Sequence, residues 1–489
     1  MIARQALQAL TAIVGPDHLL TAEADRFCYA YDAANGLFLP DAVALPGSEE
    51  EIARILQLAN EYRFPVIPRG TGTGTTGGAL AIQGGLVVVT SRLNRILELD
   101  AANFLAVVEP GVITGHIKAA AAQQGLWYPP DPSSANFCTI GGNVAENAGG
   151  SAAVQYGVTR DYVLGLRVVL PTGEIIDTGV RTAKGVVGYD LTRLLVGSEG
   201  TLGIITRIIL RLIPLPAARQ TLLAGFADLQ VATQTVGRIL RARLAPSALE
   251  FLDRASLSCV RHWLPYELAE DIQALLLIEV DGHPHDVRER AEEVRAYCQE
   301  QGAVLVLLAQ TAEETEKLWQ ARKLLSPAAF KLKPHKLSED VVVPISSIPA
   351  LVAAVDQISQ TAQLPILCFG HAGDGNIHVN IMYDRHQPRE REAAHQAVGQ
   401  IFQVVRRLQG SLSGEHGVGM SKAPYIGLEL SEAVIALSLR LKQAFDPNNI
   451  MNPGKIFTSP GTAARRLGSG APIPGQGPAG ASPPEAWGN

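Results

Sequence analysis

Two short segments in the second half of the chain gather residues able to bind metal and move protons. They are Gly370-His-Ala-Gly-Asp-Gly-Asn-Ile-His-Val-Asn380 and Gly414-Glu-His-Gly-Val-Gly419. His371 and His378 flank a Gly-Asp-Gly turn, and Gly373 and Gly375 between them disfavour a helix. The spacing predicts a strand ending at His371, a tight turn, and a second strand beginning near His378. Both imidazoles then reach one pocket, and Asn380 shares the face of His378. Two imidazoles and one carboxylate, which Glu415 could supply, make a ligand set with a coordination position left open for substrate. The competing reading is that each is a polar side chain satisfying backbone groups in a turn. Polar residues clustered around glycine turns more often mark a site.

A second constellation lies in the first half. Gly72-Thr-Gly74-Thr-Thr-Gly77 spells GxGxxG, the fingerprint of a dinucleotide-binding βαβ unit. That unit requires a helix to open at the loop, because the pyrophosphate sits on the helix N-terminus. Here the loop runs into the β-branched segment Leu86 to Thr90, so the context excludes that unit. The loop is longer than the fingerprint, however. Arg69, Gly70, Thr71, Gly72, Thr73, Gly74, Thr75, Gly77 and Gly78 supply backbone N–H groups and hydroxyls that can line a pyrophosphate without a helix dipole. Further glycine and hydroxyl segments follow. They are Asp131-Pro-Ser133-Ser134, Thr139-Ile-Gly141-Gly142-Asn143, Asn147-Ala-Gly149-Gly150, Tyr156-Gly-Val-Thr-Arg-Asp161 and Gly197-Ser-Glu-Gly200-Thr-Leu-Gly203.

The elements around these segments divide the chain. Asp41 to Leu45 reads as a strand, Ser48 with Glu51 as a helix start, and Ile52, Ile55, Leu56 and Ala59 as that helix's buried stripe. Pro65 to Pro68 is the next strand. From Phe104 to Ile213 the pattern is mostly strands and glycine loops, with Leu166 to Leu170, Glu174 to Asp177 and Gly203 to Leu212 the clearest strands. Beyond Pro214-Leu-Pro216 helices are expected at Ala227 to Leu244, Asp286 to Gln301, Ile348 to Ala362 and Arg389 to Leu408. Strands at Ala274 to Val280 and Ala303 to Leu308 alternate with them. The fold class is α+β. The expected divisions are an N-terminal helical segment (1–37), a first domain (38–216), a second domain (217–457) and a disordered Gly/Pro/Ala-rich tail (458–489).

Composition excludes several classes. The 489 residues carry a net charge of −6, so no global basic field recruits nucleic acid or an acidic membrane. No stretch reads as a membrane-spanning helix. The five cysteines, Cys28, Cys138, Cys259, Cys298 and Cys368, form no CxxC pair and fit neither a zinc finger nor an iron–sulfur motif. They read as reduced thiols in a cytoplasmic-type compartment; peripheral docking on a membrane through a local patch stays open.

In motif order, residues 38 to 216 resemble the FAD-binding domain of the vanillyl-alcohol oxidase, or PCMH, type. The resemblance implies an elongated FAD with the 65–80 loop on its pyrophosphate and Asp131 to Gly150 along the ribityl and isoalloxazine parts. Ile204 and Ile205 would lie on the adenine side. Some members tether the flavin to a His in the first loop; residues 65–80 hold neither His nor Cys, so FAD is expected to be non-covalent. Residues 217 to 457, down to Asp446-Pro-Asn-Asn-Ile-Met-Asn452-Pro-Gly-Lys455, resemble the C-terminal domain of FAD-linked oxidases. That group includes the glycolate oxidase D subunit, D-lactate dehydrogenase and D-2-hydroxyglutarate dehydrogenase.

This second resemblance implies His371, His378 and Glu415 as ligands of a divalent metal, often zinc, His416 as the base, and Asn452 among the cofactor contacts. Arg322 resembles the family's substrate arginine, and a guanidinium can grip a carboxylate with two hydrogen bonds. Lys336 is the second candidate. The expected reaction oxidises a small 2-hydroxy acid, glycolate or D-lactate, with hydride passing to flavin N5. Electrons would leave to a partner iron–sulfur subunit, a quinone or oxygen. The rivals are D-2-hydroxyglutarate as substrate, a non-catalytic FAD-binding subunit, and a reductase using NAD(P)H, for which no second nucleotide fingerprint exists.

Overall fold

A computed structural model describes residues 1–34 and 36–457. The tail expected to be disordered, 458–489, lies outside the described residues.

The first helix of the 38–216 segment shows how the local sequence is read out. Ser48 accepts the N–H of Glu51, and the Glu51 carboxylate returns to the N–H of Gly47 at 2.7 Å. Two N-terminal donors are thereby satisfied. The helix Glu49–Tyr62 buries Ile52, Ile55, Leu56 and Ala59 and stops at Arg63, whose left-handed φ is 58°. Burying each such Ile or Leu contributes roughly 1.5–3 kcal/mol. The stripe packs on a four-stranded sheet ordered Leu19–Leu20, Ala42–Ala44, Leu86–Val89, Val66–Arg69. Val66–Arg69 and Leu86–Val89 pair in parallel, and the glycine loop is their connection, with no helix opening from it.

A second sheet follows, ordered Ile96–Asp100, Leu105–Val108, Ile204–Arg211, Val163–Val169, Ile175–Gly179. The stretch expected to hold mostly strands and glycine loops also contains helices at Thr114–Ala122 and Ile140–Glu146. Gly141 and Gly142 in the first turn of Ile140–Glu146 hide that helix from a propensity reading.

The third sheet is antiparallel throughout. Its order is Leu305–Leu308, Ala218–Phe226, Ala274–Gly282, Ala248–Leu252, Ile366–His371, Asn376–Tyr383, His335–Val342. The four helices expected in this half occur at Leu229–Arg241, Pro284–Glu300, Ile348–Ala362 and Pro388–Arg407. They cover one face, where Phe251, Ile377, Val379, Ile381 and Phe402 form the core. The opposite face carries Leu252, Leu367, Phe369 and Met382 and the polar residues of the site.

The end of the 217–457 segment also packs against the first sheet. Met451 bridges Val66 and is fully buried in the first core, and Asn452 N–H donates to Val66 O. The five cysteines are free thiols. Among the described residues no helix is long and apolar enough to cross a membrane.

Candidate active site

One cavity, with a volume of about 310 Å³, joins the two constellations. Its first-half wall is built by the glycine loop (Arg69, Gly70, Thr71, Gly72, Thr73, Gly74, Thr75, Gly78), Ser133, Ser134, Thr139, Gly141, Gly142, Asn143, Gly200, Ile204 and Ile205. Its other wall is built by Arg322, Ser326, Ser338, Phe369, His378, Asn380, Glu415 and His416. The backbone of the loop must come close to its neighbours: a Cβ on Gly70 would lie 2.2 Å from Thr139 Oγ1.

Strand register aligns the catalytic wall. His371 ends one strand and His378 lies in the next, joined by the turn after His371, as the glycine spacing predicts. Glu250 pairs with His371, Phe369 with His378, and Asp340 with His378 from the far side. Alternation then turns Glu250, His371, Phe369, His378, Asn380, Ser338 and Asp340 to the same face.

The contacts fix orientation. His371 Nδ1 lies 2.6 Å from Glu250 Oε1, and its Nε2 lies 3.2 Å from Glu415 Oε1. His378 Nε2 lies 3.6 Å from the same Glu415 oxygen. Arg322 Nε donates to Glu250 Oε2 at 2.6 Å, and the guanidinium sits 5.0 Å from the Phe369 ring centre. His416 stacks on His378 with centroids 5.2 Å apart, and its Nδ1 is 3.5 Å from Asp340 Oδ1. Asp340 Oδ2 accepts the N–H groups of Gly414, Glu415 and His416, at 2.8, 2.6 and 3.1 Å. Lys422 Nζ donates to Asp340 Oδ1.

The electrostatics follow from these pairs. Burial alone would raise Glu250, but Arg322 and His371 overcome it and bring its pKa to about 2. Burial opposes charge on His371, yet Glu250 and Glu415 hold its pKa well above the ordinary histidine value. Burial pushes His378 well below that value, and the neighbouring His416, His371 and Arg322 add to the effect. Asp340 stays well below the carboxylate range despite its burial, held there by His416, Lys422 and the N–H groups it accepts.

The unsatisfied polar atoms test what the cavity could hold. Among the described residues twelve buried side-chain polar atoms have no partner, and eight belong to residues of this cavity. Arg69 Nη1, Thr75 Oγ1 and Thr139 Oγ1 lie along the glycine loop and suit the phosphates of a dinucleotide. Arg322 Nη2, His378 Nδ1, Asn380 Oδ1 and His416 Nδ1 lie at the other end. Ligand atoms of His371, His378 and Glu415 fall within 4.8 Å of one another, close enough for one ion to bind all three. With Nδ1–H of His371 directed at Glu250, Nε2 is the nitrogen left for a metal, which would displace the proton it shares with Glu415.

Several expected residues stand outside the cavity wall. Gly77 backs onto Met420, which a Cβ there would meet at 2.5 Å. Asp131 is tied to Lys118 at 2.5 Å. Asn147 takes a left-handed conformation and accepts the N–H of Arg160. Gly149 packs on Glu415, and Asn452 donates to Gly78 O and Glu199 O behind the loop. Lys336 donates to Ser326 Oγ at 2.5 Å, and Ser326 rather than Lys336 reaches the cavity. The residues missed are Glu250, Asp340, Glu146 and Glu199. Glu250 had a signal: it is the lone acid in the apolar strand Ala248–Leu252, and a fully buried carboxylate needs a cation.

Similarity to known proteins follows the same division. Residues 40–179 match the FAD binding domain family, and residues 215–456 match the FAD linked oxidases, C-terminal domain. Glycolate oxidase subunit GlcD of Bacillus subtilis is 45% identical over 94% of this chain and 97% of its own length. D-lactate dehydrogenase of Anaerostipes hadrus is 36% identical over 91% of this chain and 95% of its own. D-2-hydroxyglutarate dehydrogenase of Stutzerimonas stutzeri is 33% identical over 93% and 99%. Among solved structures, p-cresol methylhydroxylase superposes with a TM-score of 0.80 at 16% identity, covering 94% of this chain and 98% of that one, which shows the shared fold. The chain therefore belongs to the FAD-linked oxidases, as an oxidoreductase that joins a PCMH-type FAD-binding domain to the family's C-terminal domain.

Proposed function

We propose that the protein oxidises a small 2-hydroxy acid, glycolate or D-lactate, to the 2-oxo acid. The observation that carries this reading is the group of unsatisfied atoms of Arg322, His378 and Asn380 beside the His416 ring, in one cavity with the glycine loop. A carboxylate beside an alcohol fits that group. Arg322 keeps Nη2 without a partner for the carboxylate while its Nε is held by Glu250. His416 takes the hydroxyl proton as general base, with Asp340 behind its ring. Phe369 and the buried faces of the sheet exclude water from this end.

FAD, when bound, supplies the hydride acceptor. A divalent ion, zinc being the natural match to two imidazoles and a carboxylate, would be held by His371, His378 and Glu415 and would polarise the hydroxyl. FAD is non-covalent in this reading, since the loop that faces its phosphates has no His or Cys. The relatives named above support a hydroxy-acid substrate, since they are a glycolate oxidase subunit, a D-lactate dehydrogenase and a D-2-hydroxyglutarate dehydrogenase. The electron acceptor would be a partner subunit, a quinone or oxygen.

One observation favours the longer substrate. Lys323 lines the cavity, and Lys336 stands behind Ser326, so a second carboxylate could find a cation. The test is anaerobic bleaching of the flavin by glycolate, D-lactate, L-lactate and D-2-hydroxyglutarate. Fast bleaching by the first two supports the proposal. Bleaching by D-2-hydroxyglutarate alone would transfer it to the longer acid, and no bleaching by any would overturn it. Acid precipitation should leave the yellow flavin in the supernatant.

A further inference from the structure

Glu146 is the last residue of the helix Ile140–Glu146 and lines the cavity. Its Oε2 is cut off from solvent and has no hydrogen-bond partner. The carboxyl group lies where the two halves of the molecule meet. A Cβ on Gly78 of the glycine loop would sit 3.1 Å from Oε1, and one on Gly417, next to His416, would sit 2.1 Å from Oε2. A side chain at 417 would collide with it, and one at 78 would press on it.

Hydride passes only between atoms held nearly in contact. The flavin ring of a bound FAD must therefore reach the His416 end of the cavity, which is where Glu146 Oε2 points. Neither the proton abstraction by His416 nor the grip of Arg322 uses this carboxyl. We propose that the Glu146 carboxyl group donates a hydrogen bond to the flavin ring and holds its reduction potential up.

Two features support a donor rather than an acceptor. A second carboxylate, Glu199, would lie 3.0 Å from that same Cβ on Gly417, and it accepts the N–H groups of Val418 and Gly419 at 2.7 and 2.6 Å. Burial raises Glu199, but these two donors, Lys455 and Lys422 all work against that rise. Burial pushes Glu146 well above the ordinary carboxylic value, Glu199, Asp32 and Asp340 push the same way, and Lys422 opposes them. Glu146 Oε2 accepts no such donor, so the shared proton is assigned to Glu146, and a neutral carboxylic acid carries one O–H donor. A hydride brings two electrons and one proton, so the accepting ring gains one negative charge. A donor aimed at that charge favours the reduced state.

The test is a dye-coupled anaerobic redox titration of the holoenzyme with dithionite, which needs no substrate and is independent of the hydroxy-acid reading. In Glu146→Ala the reduced-to-oxidised ratio at a fixed potential should fall roughly tenfold, a drop of about 30 mV for a two-electron couple. Glu146→Gln, whose amide still donates, should stay close to the parent. Equal potentials in the parent and Glu146→Ala would overturn the proposal. So would a change in FAD affinity alone, which would place the carboxyl on the phosphates. If Glu146→Ala does not retain flavin, infrared difference spectra of the parent and Glu146→Gln decide. A protonated carboxyl band that shifts on flavin reduction and vanishes in Glu146→Gln supports the proposal, and its absence overturns it.

Discussion

Glu250 Oε1 lies 2.6 Å from His371 Nδ1, directly across a pair of antiparallel strands. The same carboxylate receives Arg322 Nε on its other oxygen. One fully buried acid thus fixes both the ring that would ligate a metal and the cation that would hold the substrate. The arrangement chooses the tautomer of His371 and makes its Nε2 the better ligand.

Replacing Glu250 with Gln should therefore weaken metal binding roughly 10–100-fold while FAD stays bound. Chelator competition measures the affinity, and the visible flavin spectrum reports the cofactor. Arg322 also loses its buried counter-charge, which costs roughly 3–5 kcal/mol of stability, so the variant should melt earlier. Unchanged metal affinity would show that Glu250 serves only Arg322.

The contrast between Glu250 and His371 explains what the sequence made legible. The histidine pair, the glycine loop, Glu415 and His416 announce themselves by local spacing, and the helices by capping and periodicity. Ser48 with Glu51 is an example whose hydrogen bonds are all within four residues. The second group depends on distant pairing. Glu250 meets His371 across 121 residues and Arg322 across 72. Asp340 reaches the 414–416 backbone across 74 to 76. Nothing in the local pattern of His335–Val342 tells that Asp340 rather than Lys336 faces the base. Residues 450–452 return to the first sheet for the same kind of reason: Met451 is apolar, and only the tertiary fold says which core it enters.

Arg322 commits Nε to Glu250, and its buried Nη2 has no partner. A lysine ammonium is a compact point without the planar fork that presents donors to Glu250 and to the substrate on separate edges. Arg322→Lys should lower kcat/KM for glycolate or D-lactate roughly 10–100-fold, the range for losing a hydrogen bond to a charged group. Flavin content should be unchanged. Steady-state kinetics with a dye acceptor reads the effect, and parental kinetics would remove Arg322 from substrate binding.

Lys336 gives a pH signature. Burial lowers its pKa from 10.5 to about 8. Between those values the unfolded chain binds more protons than the folded one, so stability rises with pH from 8 to 10.5. Below pH 8 the penalty is fully present in the folded state. Lys336→Met should flatten that rise, seen as a smaller change in the urea midpoint between pH 8 and 10.5. An equally steep rise in the variant would mean that another group is responsible.

His416 is the residue whose loss best separates proton transfer from binding. It stacks on His378 but is outside the set His371, His378 and Glu415, whose ligand atoms lie together. Its ring is oriented by stacking and by Asp340 at 3.5 Å, and its backbone N–H is held by the same carboxylate. Removing the imidazole leaves these backbone contacts in place. His416→Ala should therefore keep FAD and keep any bound divalent metal, yet slow flavin reduction by the substrate roughly 10²–10⁴-fold, the size of a lost general base. His378→Ala should do the reverse for the metal, losing it while FAD remains, because the glycine loop lies on the other wall. Stopped-flow reduction under anaerobic conditions, with metal analysis of each variant, distinguishes the two. Loss of metal in His416→Ala would make His416 a ligand, and unimpaired flavin reduction in that variant would mean that another group takes the hydroxyl proton.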